Sequence, residues 1–99
     1  MKKTQKYAFD LVLMKFIDAH LDLYGHIQTK TICEQFYMHR TRASAAITKY
    51  RDFKPSNTCF NVTDKCHEKS DTFEKVFLKT SSPEFLNSVE LVYQQDIED

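Results

Sequence analysis

The sequence predicts a mainly α-helical domain that carries one small β-hairpin and closes on a further helix. Three observations predict it. Apolar residues recur at three- and four-residue spacing over most of the chain. The one change of period falls between residues 58 and 69. A single Gly and two Pro in 99 residues exclude a turn-rich all-β fold and a disordered chain. Eight Phe and five Tyr supply the bulk that a core this small requires, since a short chain buries only a modest fraction of its surface.

Residues 7–24 form the first helix. Phe9, Val12, Leu13, Phe16, Ile17, His20 and Tyr24 share one face, and Gly25 stands where a helix C′ residue belongs. A second stripe, Tyr7, Leu11 and Met14, lies on the opposite side. Either the chain covers both stripes itself, or one of them is a contact with a second copy. Residues 26–28 make a short extended link. Thr29 then caps a brief second helix whose inward residues are Ile32, Cys33 and Phe36. Tyr37 and Met38 turn the chain. A third helix starts at His39 or Thr41 and runs to about Asp52, with Ala43, Ala46, Ile47 and Tyr50 as a narrow apolar stripe. Pro55 stops it, because the residue before a proline is pushed out of helical geometry.

Residues 58–62 are rich in strand formers, Thr63, Asp64 and Lys65 make a polar turn, and residues 66–69 return. Phe73, Val76, Phe77 and Leu78 lie in a connecting stretch that packs back on the core. Ser82 at N-cap and Pro83 at N1 open the last helix, with Glu84 near its positive end. Phe85, Leu86, Val89, Val92 and Tyr93 share one of its faces. Helix, link, helix, turn, helix, hairpin, helix is the order of a winged helix-turn-helix. The expected division is residues 1–80 for that domain and 81–99 for a C-terminal helix serving dimerisation.

Charge separates the two halves although the whole chain is neutral. Residues 1–56 hold ten Lys and Arg against five Asp and Glu, a balance of +5; residues 57–99 hold four against nine, a balance of −5. One basic and one acidic surface suit an oriented contact with a polyanion. On the third helix, at 100° per residue, Thr41, Ala45, Thr48 and Asp52 point away from the core, flanked by Arg42 and Lys49 on one side and Ser44 on the other. The N-terminal residues of such a helix meet base edges in the major groove. Arg42 has the forked donors that match guanine O6 and N7, and the Ala45 methyl suits a thymine methyl. Ser44 and Thr48 offer short hydroxyls to base or phosphate. Arg40, Lys49, Arg51 and Lys54 are placed to neutralise phosphates, which sets affinity and register but not sequence. Thr63 and Lys65 stand at the hairpin tip, where a wing tracks the backbone.

Residues 27–86 resemble the N-terminal winged helix-turn-helix of WYL-domain transcriptional repressors from bacterial defence islands, the CapW and BrxR type. Arg40-Thr41-Arg42-Ala43-Ser44 with Tyr50 carries the resemblance in the third helix. Pro55-Ser56-Asn57-Thr58-Cys59-Phe60-Asn61 carries it into the wing, and Ser81-Ser82-Pro83-Glu84 with Phe85-Leu86 into the last helix. The resemblance implies a homodimer that binds an inverted repeat in double-stranded DNA and represses a nearby promoter. The WYL sensor domain of that family lies outside these residues, so no small-molecule ligand is expected. The dimer contact is expected from Tyr7, Leu11 and Met14 together with Phe85, Leu86, Val89, Val92 and Tyr93.

Other chemistries have little to stand on. Three Cys are an odd number without a CxxC pair, which points to reduced, buried thiols. Cys59, Cys66 and His67 lack the paired spacing of a zinc site, so no metal and no cofactor are expected. A chain with one Gly has no phosphate loop, and Cys33 with His39 makes a poor nucleophile and base because Cys33 falls on an apolar face. No enzyme is expected. No apolar run approaches the roughly 20 residues of a membrane span, and the basic start is no signal peptide, so a cytoplasmic, nucleoid-associated protein is expected. The rival reading is a winged helix that binds another protein through its apolar and acidic faces without touching DNA.

Overall fold

A computed structural model describes the backbone of residues 5–93 and the side chains of residues 8–93. The elements run α1 (Gln5–Tyr24), β1 (His26–Ile27), α2 (Thr29–Phe36), α3 (Arg40–Phe53), a 3-10 turn (Pro55–Asn57), β2 (Thr58–Asn61), β3 (Cys66–Lys69) and α4 (Ser82–Tyr93). Four helices and a small antiparallel sheet are what the apolar spacing predicts. The link before α2 does more than expected: its first two residues form β1, which pairs with β3 and gives the strand order β1-β3-β2. Ile27 stands opposite His67, and Phe60 opposite His67 on its other side. The wing hairpin is thereby fastened to the end of α1, and the Lys69 amide donates to the Gly25 carbonyl at 2.9 Å. Gly25 itself takes φ +83°, the left-handed conformation that ends α1 and that a side chain disfavours.

The core is a single cluster. Leu13, Met14, Phe16, Ile17 and Leu21 of α1 meet Ile27, Ile32, Phe36, Ala43, Ala46, Ile47, Tyr50 and Val89. Small Ala43 and Ala46 let α3 lie close against α1, which is why its narrow stripe suffices. Phe36 sits among aromatic rings from two other helices, α1 and α4, with centroids 5.7 Å from Phe9, 5.1 Å from Phe16 and 5.0 Å from Tyr93. Edge-on ring packing of this kind adds about 0.5–1.5 kcal/mol per pair beyond area burial.

Packing of α4 on α1 corrects the expected dimer contact. Val89 is 4 % exposed and Met14 3 %, so both are interior to one molecule. Phe85, Leu86 and Tyr93 are half-buried against the same core. The chain covers these faces itself, because α1 and α4 pack on each other, which relieves α2 and α3 of covering both. Leu11 is half-buried, Val92 remains exposed at 73 %, and the Tyr7 side chain lies outside the described residues.

Two caps also differ. Thr29 is the first residue of α2, and Gln28 holds the N-cap position without a side-chain bond. At α4 it is Ser81 that caps: its hydroxyl accepts from the Glu84 amide at 3.4 Å. Ser82 is buried, and its hydroxyl donates to Asp22 at 2.8 Å, tying α4 to the last turn of α1. The expectation of buried thiols holds for Cys66 and fails for Cys59, which lies exposed on the edge strand β2; Cys33 is half-buried.

One polar centre runs through this core. Asp18 is fully buried on α1, in line with Met14 and Leu21. Its Oδ1 accepts from the Tyr50 hydroxyl of α3, and its Oδ2 from three successive backbone amides, Val76 at 2.8 Å, Phe77, and Leu78 at 3.0 Å. Asn57 extends the network. Its amide donates to the Tyr50 oxygen at 3.0 Å and to the Glu74 carbonyl at 2.8 Å, and its own oxygen accepts from the Glu74 amide at 3.1 Å. A buried carboxylate is costly alone, but here donors surround both oxygens. Burial, with the Asp18 carboxylate adding to it, holds the Tyr50 phenol far above its usual range, so it stays a donor. The rear of α3 is thus fixed to α1 and to the loop before α4.

Candidate nucleic-acid interface

With α3 held from behind, its outer side is free. Arg40, Thr41, Ser44, Ala45, Thr48, Lys49 and Asp52 are all exposed and, with Thr29 of α2, line one open depression of about 790 Å³. Thr41, Ala45, Thr48 and Asp52 form the central row, as the helical geometry requires for positions opposite Ala43, Ala46 and Tyr50. The depression gathers most of the expected α3 residues on one surface. Arg42, Arg51 and Lys54 do not line it.

Arg42 is turned toward α1. Its guanidinium carbon stands 5.2 Å from the centre of the Phe9 ring, a cation–π contact. Lys49, on the same flank, lies 3.5 Å from an Asp10 carboxylate oxygen. Lys54 is 3.5 Å from Glu74. These are partly exposed ion pairs, each worth at most about 1 kcal/mol, so a phosphate can replace the carboxylate at little cost. Arg40 sits on the other flank. It borders both the depression and a second cleft of about 500 Å³ shared with Gln28, Thr29, Lys30 and Lys65. Arg51 is exposed on the wing side of α3, where its charge combines with burial, the larger cause, to hold the His67 ring below its usual range.

The wing stands beside this face. Its turn is closed by the Asp64 amide donating to Asn61 Oδ1 at 2.9 Å, and Lys65 takes φ +54°. Gln28 donates from its side chain to the Asp64 carbonyl at 3.2 Å, so the tip is tied to the start of α2. Thr63 and Lys65 are exposed there. Phe60 and Val62 are also exposed on the hairpin, at 52 % and 73 %.

Asp18 and Asn57, which the sequence reading passed over, hold α3 from behind through Tyr50 and do not line its outer face. Asp18 had a legible signal, a lone carboxylate at helical spacing inside an apolar stripe. Asn57 had none. Among the described residues no group of three His, Cys, Asp or Glu side chains is placed to hold a metal ion. No described helix is long and apolar enough to cross a membrane.

No curated protein matches the sequence. Residues 11–91 match a family model described as the BrxR transcriptional regulator winged helix-turn-helix domain, a regulator family and not an enzyme family. That span takes in every described element from within α1 to near the end of α4, including the α3 face and the wing. The chain belongs to this family of winged helix-turn-helix transcriptional regulator domains.

Proposed function

We propose that the chain binds double-stranded DNA sequence-specifically and represses transcription from an inverted repeat as a homodimer, in the cytoplasm at the nucleoid. The observation that carries this reading is the outer face of α3, concave, exposed along its length and bordered by cations on both flanks. α3 enters the major groove with the face that runs from Thr41 to Thr48. Arg40, Lys49, Arg51 and Lys54 neutralise phosphates on either side, and Thr63 and Lys65 of the wing follow the backbone. Repression comes from the resemblance to the CapW and BrxR type: a regulator seated on a promoter excludes polymerase. For the dimer, support comes from Leu91 and Val92, adjacent on α4 and 66 % and 73 % exposed.

Arg42, held over Phe9, supports the surface of α1 more than it reads a base, and Arg40 is the cation nearer the groove. Duplex binding measured across salt tests the reading. With about four to six phosphates neutralised per protomer, and so about eight to twelve per dimer, log K falls linearly with log salt at a slope of roughly −7 to −11. A salt-independent interaction, or none with any duplex, favours a protein-binding module instead.

A further inference from the structure

The chemistry of the outward row on α3 says which base pairs it prefers. This inference rests on the DNA-binding reading. Thr41, Ala45 and Thr48 follow one another at helical spacing along the exposed side, and all three border the open depression. They present two methyl-and-hydroxyl side chains and one bare methyl. The long donors stand beside this row and not in it: Arg40 and Lys49 border the depression from its two flanks, and Arg42 does not line it. Arg42 lies against the Phe9 ring at 5.2 Å, and Lys49 lies 3.5 Å from Asp10, both toward α1. Arg40 borders the cleft with Lys30 and Lys65 on the opposite flank. Asp52, the fourth member of the row, stands one residue from the C-terminal end of α3, a full turn beyond Thr48.

Base edges in the major groove ask for different partners. Guanine O6 and N7 call for a guanidinium or ammonium, adenine N6 and N7 for a side-chain amide, and the thymine C5-methyl for an apolar contact. The row offers no guanidinium and no amide, and it does offer three methyl groups. Hydroxyls accept or donate to any base and so discriminate little. We infer that α3 reads thymine methyl groups through Thr41, Ala45 and Thr48, so that the centre of each half-site is made of A·T pairs.

Deoxyuridine isolates this contact, because it pairs with adenine as thymine does and lacks only the C5-methyl. Duplexes selected from a random pool by the full chain define the site, and each thymine of a half-site is then replaced in turn by deoxyuridine. Fluorescence anisotropy at fixed salt should show a loss of roughly three- to fivefold at two or more neighbouring positions, the weight of one buried methyl each. Ala45→Ser, at an exposed helical position, should erase the deoxyuridine effect at one of those positions and leave the others. A specific site with G·C pairs at its centre overturns the inference, as does an A·T site indifferent to deoxyuridine, whose preference then lies in duplex shape. Either result leaves specific DNA binding intact. Selection that yields no consensus overturns both.

Discussion

Among the described residues Asp18 joins α1 to α3 and to the loop before α4, and its neighbours state what its loss does. Removing the carboxylate leaves Tyr50 and the amides of Val76, Phe77 and Leu78 buried without an acceptor. Each stranded donor costs about 1–3 kcal/mol, so Asp18→Ala should cost more than about 3 kcal/mol in urea unfolding. Tyr50→Phe removes one charge-assisted bond and should cost about 1.5–3 kcal/mol, while its ring still packs on Phe77. A pair of variants within 0.5 kcal/mol of wild type would show that the network holds nothing. The histidines add a pH dependence. Burial is the main cause that holds the His20 ring below its usual 6.5, offset in part by its bond to the His26 carbonyl at 2.8 Å. His67 is lowered mainly by burial and further by Arg51. Both therefore stay neutral in the folded state at a pH where the unfolded chain has already taken up protons. Their contribution is complete above about pH 6.5 and is lost as pH falls through the lowered native values. The urea midpoint should drop between pH 7.5 and 5.5, and His20→Gln with His67→Gln should flatten that drop. An unchanged slope in the double variant would contradict the assignment.

At the scale of elements, the helices and the hairpin were legible because their signals are local. Apolar spacing marked α1 and α3, Pro55 marked the end of α3, and the polar turn of Thr63 to Lys65 marked the wing. What was not legible depends on partners far apart in the chain. The pairing of His26 and Ile27 with Glu68 and His67 makes a strand of two residues that have no strand pattern of their own. The cap at α4 shifted by one residue because Ser81 and Ser82 are alike in sequence, and only the placement of Asp22 separates their tasks. Arg42 and Arg40 likewise differ through their surroundings: Phe9 stands on one flank of α3 and the wing tip on the other. The dimer contact failed at Val89 for the same reason, since α1 and α4 can only be seen to cover each other once packed. Their packing sharpens the test. Val89→Asp places a charge in the core and should unfold the monomer, whereas Val92→Asp, at an exposed position, should leave the helical signal intact and separate a dimer. Sedimentation velocity at micromolar concentration distinguishes them, and a Val92→Asp protein that sediments as a dimer would remove this face of α4 from the interface.

For the whole molecule, the arrangement is a helix, α3, braced from behind and left open in front. Asp18, Tyr50 and Asn57 fix the rear of α3; β1 and Gln28 fix the wing beside it. Along the chain, the excess of Lys and Arg falls in residues 1–56, which include α3, and the excess of Asp and Glu in residues 57–99. The face of α3 is therefore where a single change should separate folding from binding. Ala45→Asp puts a carboxylate in the middle of the exposed row, so the free energy of urea unfolding should stay within about 1 kcal/mol of wild type, helix propensity included. The most direct measurement is the affinity of wild type and Ala45→Asp for one selected duplex and one scrambled duplex at the same moderate salt. Wild type should prefer the selected duplex by at least about a hundredfold, and Ala45→Asp should lose that preference while remaining folded. Equal affinities of the two proteins for the selected duplex would contradict DNA recognition by α3.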